Sequence, residues 1–311
     1  MARVLVHPIE DIGFNVIPHE RLYNSTGGLS LDRRVREMYE KKQYDTKPKT
    51  QHEADIRGEI HFNALVTSAP NLHTYPRNGM NYVTVDLAPT RYLIGQAMRD
   101  CVARRKYSDE EIEKMSPDMV GVSLIAPVRI KGKYFLLSQI KGKALGSGEI
   151  HTGLVAGNVD QKYLSQRNPL VATLKSECSE ELGIDLSYLD STSFLYLFDE
   201  RETGQINFAS VSRNLNIEQI LESYEAMSKN KLQKQEQLEV MALSTLPIAS
   251  LALTPLEDSS SGLTSITSYR PSEGGLVRVI EDRKARPYSL ALVEHLRESD
   301  NVRLLLERAG F

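Results

Sequence analysis

The sequence predicts an α/β protein in two parts, a small α+β domain over residues 1–118 and a larger α/β domain over residues 119–311. Three observations carry that expectation. The run VGVSLIAPVRI, a Lys131-Gly132 turn and KYFLLSQI form two β-rich segments at hairpin spacing. Further on, Asn168-Pro169 supplies a helix start and Gly183 a stop, and strand-like runs follow that helix. Before residue 118, shorter helical and strand-like runs alternate, and Ser116-Pro117-Asp118 punctuates the pattern.

In chain order, SLDRRVREMY from Ser30 places Leu31, Val35 and Met38 at helical spacing behind a Ser or Asp cap. QYDTKPKTQHEADIRGE is polar, holds a proline and reads as a surface connection. Ile60 to Thr67 and Asn81 to Leu87 read as strands on either side of a turn region with Pro, Asn and Gly, and a helix follows from about Thr90 to Arg104. After the hairpin, KGKALGSGEIHTGLVAGNVD carries five glycines and reads as loop with one short strand at Leu154 to Ala156. The helix behind Asn168 is followed by strands at Phe194 to Phe198 and Ile206 to Leu215, a polar helix from about Ile217 to Gln237, and a strand near Leu238 to Leu243. A loop at Ser259-Ser260-Ser261-Gly262 and a last helix from about Pro287 to Arg308 complete the reading.

Composition limits what such a protein can do. Of 311 residues, 41% are hydrophobic and 25% charged, a globular balance with enough length for a substantial core. The longest apolar runs, such as LIAPV, fall far short of the about 20 residues that cross a bilayer. MARVLVHPIED lacks the apolar segment of a secretory signal, so the expectation is a cytoplasmic protein with no membrane partner. A net charge of −3 argues against nucleic acid as a partner, and Arg104-Arg105-Lys106 is answered at once by Asp109-Glu110-Glu111. Cys101 and Cys178 make neither a disulfide framework nor a four-sulfur zinc site.

The chemistry concentrates in SECSEELGI, Ser176 to Ile184, where three carboxylates stand within five residues near a helix end. At about 100° per residue, Glu177, Glu180 and Glu181 share one side, next to an apolar stripe of Val171, Leu174, Cys178 and Leu182. Glutamates there repel one another and the helix macrodipole, by roughly 0.3–1 kcal/mol per exposed carboxylate. A divalent cation relieves that repulsion, since carboxylate oxygens are preferred ligands of Mg²⁺. A solvated acidic face is the plainer reading, and spacing alone leaves both open.

The same stretch resembles the second half of the Nudix box, G-x5-E-x7-R-E-U-x-E-E-x-G-U with U aliphatic, through Glu177, Cys178, Glu180, Glu181, Gly183 and Ile184. The flanking order agrees: the hairpin from Val120 to Ile140, a loop Gly157-Asn158-Val159-Asp160 similar to the family's G-G-x-V-E entry, the helix, then strands. The resemblance covers roughly Met119 to Leu253 and implies an α/β/α sandwich with a mixed sheet. It also implies Mg²⁺, with Mn²⁺ as a substitute, held by Glu177, Glu180 and Glu181, and a catalytic role for Glu180 or Glu181. Gly157 and Asp160 would lie at the substrate, a nucleoside diphosphate linked to another moiety and hydrolysed at its pyrophosphate.

The chain departs from that pattern at three points. Ser176 stands where the box has Arg, QKYLSQRN lengthens the spacing between Gly157 and Gly183, and no acid lies between Asp160 and Glu177. These departures imply the alternative, a catalytically degenerate Nudix-fold module that binds a nucleotide or a protein. YNSTGGLSLDRRVREMYEKK, IHFNALVTS and VTVDLAPTRYLIGQ resemble the amino-terminal region of an atypical Nudix subgroup that hydrolyses UDP-glucose. That similarity implies a UDP-sugar such as UDP-glucose, giving UMP and a sugar 1-phosphate, and leaves a homodimer open. Of the remaining candidates, His151 reads as a surface or capping residue, Glu236 and Glu239 as a solvated helix end, and Tyr163 and Arg167 have only their position in the insertion to recommend them.

Overall fold

In the computed structural model, residues 4–17, 32–59, 63–130, 132–141, 150–187, 189, 193–200, 203–213, 215–220, 222–223, 226, 240–247, 268–272, 275–279 and 286–311 are described. The loop at Ser259 to Gly262 and most of the Ile217 to Gln237 helix expected from the sequence lie outside these residues. The described chain is a mixed α/β structure built on one twelve-stranded sheet.

The sheet turns on the strand β4, Met119–Ile130. One half, Met119 to Ile125, runs parallel to β9 (Gln205–Val211) and is flanked on its other side by antiparallel β7 (Gly153–Asn158). The other half, from Ala126, forms the expected hairpin with β5 (Lys133–Lys141). That wing continues through β10 (Val240–Pro247), β11 (Ser268–Ser272) and β12 (Gly275–Val279), while the two-residue β6 (Ile150–His151) also pairs with β5. On the other wing β9 pairs with β8 (Phe194–Glu200), and β8 with β1 (Leu5–Val16). Next to β1 lies β3 (Met80–Arg91) in parallel, then its hairpin partner β2 (Leu65–Arg77). Strands from both sides of residue 118 therefore share the sheet, and β2 also touches β4 at Ser68 and Met119.

Helices cover β4 on both faces, which explains its nearly unbroken apolar run. The helix Pro169–Leu182 buries Leu174, Cys178 and Leu182 against Val122 and Leu124 of β4 and Leu154 and Val155 of β7. Each such side chain contributes about 1.5–3 kcal/mol by leaving water. Its ends match the sequence: Asn168 accepts from the Val171 N–H at 3.1 Å, and Gly183 closes it at φ 68°. Against the other face pack helices Pro287–His295 and Ser299–Ala309, through Leu292, Leu296, Leu305 and Ala309 around Ile125, Leu195 and Phe198. A third cluster joins helices Arg33–Lys41, Tyr92–Arg104 and Asp109–Met115 through Val35, Ala97, Met98 and Met115.

Four local expectations are corrected. The surface connection contains a helix, Gln51–Arg57, whose cap Thr50 accepts from the Glu53 N–H at 3.2 Å. The first hairpin is much longer than its prolines suggested. It turns at Asn78 and Gly79, both at positive φ, and Pro70 falls in a bulge between Ser68 and Asn71 on a strand with little pairing outside it. Leu5–Val16, which carries Pro8 and Gly13, is a strand the sequence did not announce. The last helix is two, divided at Leu296 to Glu298 so that both halves lie on the sheet. Among the described residues no helix is long and apolar enough to cross a membrane.

Candidate active site

The helix Pro169–Leu182 sets its three glutamates at three depths. Glu180 is exposed, Glu177 half-buried and Glu181 only 4% exposed. The Glu177 carboxylate occupies the space beside Gly157 where a Cβ would otherwise stand, so glycine is required there by close approach. Ser176 donates its hydroxyl to Glu180 Oε1 at 2.6 Å. Glu181 turns inward instead, and its Oε2 accepts from Gln139 Nε2 at 2.5 Å on the buried face of β5.

Glu177 and Glu180 open onto a cleft of about 1640 Å³. It is lined from both faces of the sheet: Gly157 on β7, paired with Val122, faces the Pro169–Leu182 helix, whereas Gly121 on β4, Asn207 on β9 and Glu200 on β8 share the face of Phe198. One wall is the turn after β7, which contributes Asp160, Lys162 and Tyr163. Facing contributions come from Lys49, Arg91, Tyr92 and Arg99 in the amino-terminal region and from Arg286 and Tyr288 at the start of the Pro287–His295 helix. The sequence-derived residues Gly157, Asp160, Glu177, Glu180 and Tyr163 thus share one cleft, while Glu181 and Arg167 do not line it.

Buried Asn63 fixes the amino-terminal wall. Its Oδ1 accepts from the Leu93 N–H at 3.0 Å, its Nδ2 donates to the Tyr44 carbonyl at 3.1 Å, and its own carbonyl accepts from Arg91 at 3.2 Å. Arg99 is held by the Thr203 carbonyl at 3.3 Å and Gln96 Oε1 at 3.1 Å. Burial lowers the pKa of Arg99 and of Lys49, and nearby cations add to the effect, Arg286 for Arg99 and Arg91 for Lys49. A guanidinium stays charged even so. Burial also works against the Lys162 ammonium, but Tyr163, Asp160 and Glu180 together hold its pKa above the ordinary value, with Asp160 Oδ2 at 3.5 Å. Cations clustered in a partly enclosed cleft attract an anionic ligand.

At the β8 end the chemistry changes. Glu200 is 4% exposed, burial pushes its pKa up to about 8 against the pull of Arg286, and Asp199 adds to the rise. Beside it, Arg286 Nε donates to His151 Nε2 at 3.2 Å, and the Tyr288 hydroxyl lies 3.1 Å from His151 Nδ1. His151 is buried in this cluster and lines the cleft, contrary to the surface role expected of it. Burial pushes the Tyr288 hydroxyl upward, and Glu200 reinforces the shift. Glu200, Arg99, Arg286 and Lys49 were missed in the sequence, where only an acid closing the apolar run FLYLFDE gave any sign. Glu236 and Glu239 lie outside the described residues.

Among the described residues, no group of three or more acids, histidines or cysteines is arranged to hold a metal ion. Glu177 and Glu180 still suit a hard cation such as Mg²⁺, which commonly takes one or two carboxylates and completes its shell with water and substrate phosphate. No family model and no curated protein matches the chain.

Proposed function

We propose that the chain is a Nudix-type hydrolase with an α/β/α sandwich, which cleaves the pyrophosphate of a nucleoside diphosphate linked to another moiety such as the hexose of UDP-glucose. One observation carries this reading: Glu177 and Glu180 share a cleft with Lys49, Arg91, Arg99, Lys162 and Arg286. Acids for a hard cation and bases for phosphate oxygens are what hydrolysis of a diphosphate ester requires.

Mg²⁺, or Mn²⁺ in its place, would be held by Glu177 and Glu180 and would supply charge neutralisation and an acidified water. Glu181 would join them only by leaving Gln139. The cations bind and orient the diphosphate, so that water attacks one phosphorus in line with the bridging oxygen. A P–O bond forms, the bond to the bridging oxygen breaks, and a UDP-hexose yields UMP and a sugar 1-phosphate. Where the cation is held by Glu177 alone, Glu180, with Oε1 accepting from Ser176, would instead take the proton of the attacking water at Oε2.

The test is release of nucleoside monophosphate from UDP-glucose, other UDP-sugars, ADP-ribose, NADH, dinucleoside polyphosphates and nucleoside triphosphates in Mg²⁺. Release from one class is expected, with Glu177→Gln and Glu180→Gln each lowering kcat by about 100-fold or more. Binding without release from any class would make the cleft that of a binding module and overturn the hydrolase reading.

A further inference from the structure

Strand pairing divides the cleft between the two faces of the sheet. Gly157 is paired with Val122 and meets the Glu177 carboxylate on the face of the Pro169–Leu182 helix. Glu200 stands opposite Gln205, and Asn207 stands between Phe198 and Gly121, so these residues share the other face, where Tyr288 packs on Phe198 at a centroid distance of 5.7 Å. Two oxygens there, Glu200 Oε1 and Asn207 Oδ1, have no hydrogen-bond partner among the described residues, and their residues are 4% and 8% exposed. Both residues line the cleft. A buried acceptor of this kind is costly until a hydrogen-bond donor completes it.

The same face carries surplus positive charge. Half-buried Arg99 is held by neutral groups, the Thr203 carbonyl and Gln96 Oε1, and Arg286 Nε donates to His151 Nε2, which accepts as a neutral imidazole. Arg286 is near enough to help lower the pKa of Arg99 and to pull against the rise at Glu200. The charged and titratable groups around Glu200 are Asp199 on its own strand, Arg286 and Tyr288 at the helix start, His151 on β6 and Arg99 on the amino-terminal wall. In that setting burial keeps Glu200 protonated at neutral pH, so it does not cancel the arginines. Two guanidiniums call for an oxyanion, and the unpaired acceptors call for one that still bears a proton. Inorganic phosphate keeps an O–H at neutral pH, and sulfate does not.

We propose that Arg99, Arg286, Asn207 and Glu200 bind inorganic phosphate on the face opposite Glu177, the guanidiniums donating to its charged oxygens and Asn207 Oδ1 accepting from its O–H. This site does not depend on the hydrolase reading, and it leaves Lys49, Arg91 and Lys162 for the diphosphate.

Calorimetric titration of the full chain with inorganic phosphate, sulfate and methyl phosphate, in EDTA to remove any cation at Glu177, tests the site. At pH 7 phosphate is expected to bind about tenfold or more tighter than sulfate, which leaves both acceptors unpaired, and than methyl phosphate, which is mostly a dianion without an O–H. Arg99→Met and Arg286→Met should weaken phosphate and sulfate alike, by about tenfold, whereas Asn207→Leu should narrow the preference for phosphate to about threefold or less. A merely structural role would not separate affinity from selectivity in this way. Lys162→Met, beside Glu180, should change phosphate affinity by less than about threefold. Between about pH 7 and pH 9 phosphate affinity should fall about tenfold relative to Glu200→Gln, because Glu200 then ionises beside the anion. Phosphate bound no tighter than sulfate or methyl phosphate, absence of phosphate binding, or a loss in Lys162→Met that matches Arg99→Met would overturn the proposal.

Discussion

The two ends of the cleft use carboxylates in opposite ways. At the helix end Glu180 is exposed and Glu177 half-buried, with Lys162 close by, so these groups are suited to work as anions. At the β8 end Glu200 is almost fully enclosed, has no partner for Oε1 among the described residues, and has its pKa pushed up to about 8. The same side chain is a charge in one place and a neutral hydrogen-bonding group in the other. Burial decides which, and burial comes from where the strand or helix ends.

The largest expected effect comes from removing the titration at the β8 end. Unfolded, Glu200 ionises near 4.5, and folded it ionises near 8, so between those values the folded chain holds the extra proton. Stability therefore falls as pH rises through that window and the loss is complete above it. Each pH unit costs up to about 1.4 kcal/mol, so the window amounts to at most ~5 kcal/mol. Glu200→Gln should match the parent protein at about pH 4.5 and exceed it by several kcal/mol at about pH 9, read by urea denaturation at both values. An equal difference at the two pH values would mean that Glu200 is ionised in the folded chain, and the contrast between the ends would disappear.

A smaller effect is expected at the helix end, where Gly157→Ala places a methyl group in the space taken by the Glu177 carboxylate. The strand Gly153–Asn158 is paired with β4 along its length, so the side chain must move rather than the backbone. The cost is about 1–3 kcal/mol, independent of pH between about 5 and 9. Denaturation of this variant at the same two pH values separates overpacking from titration, and an unchanged stability would show that Glu177 has room beyond the position it takes here.

Much of this was legible in residue patterns and some was not, for physical reasons. Asn168-Pro169 and Gly183 marked the helix because caps act locally, within one turn. The spacing of Glu177, Glu180 and Glu181 fixed their angle about the helix axis but not their depth, which depends on Gln139 far away in sequence. The hairpin Leu65–Arg77 to Met80–Arg91 was obscured by Pro70 and Pro76, which a strand tolerates where its outer side is little paired. Glu200 was the least legible. Its unusual proton affinity comes chiefly from burial on β8, opposed by Arg286 at the start of a distant helix and reinforced by the neighbouring Asp199, and the burial is not a property of FLYLFDE.

The smallest effect is expected at Ser176, and it tests the contact that holds Glu180 at the helix end. Its hydroxyl donates to Glu180 Oε1 at 2.6 Å on an exposed surface, where water competes for the same acceptor. Ser176→Ala should therefore change stability by no more than about 0.5–1 kcal/mol. If the bond orients Glu180 for its proposed role, kcat should fall about three- to tenfold with KM unchanged, because an orienting contact acts on the reacting geometry rather than on binding. Ser176→Arg, which places a cation beside Glu180, should lower KM for the anionic substrate proposed above or leave it unchanged. A rise in KM would mean that a bulky cation cannot be accommodated beside Glu180 and that this position needs a small residue.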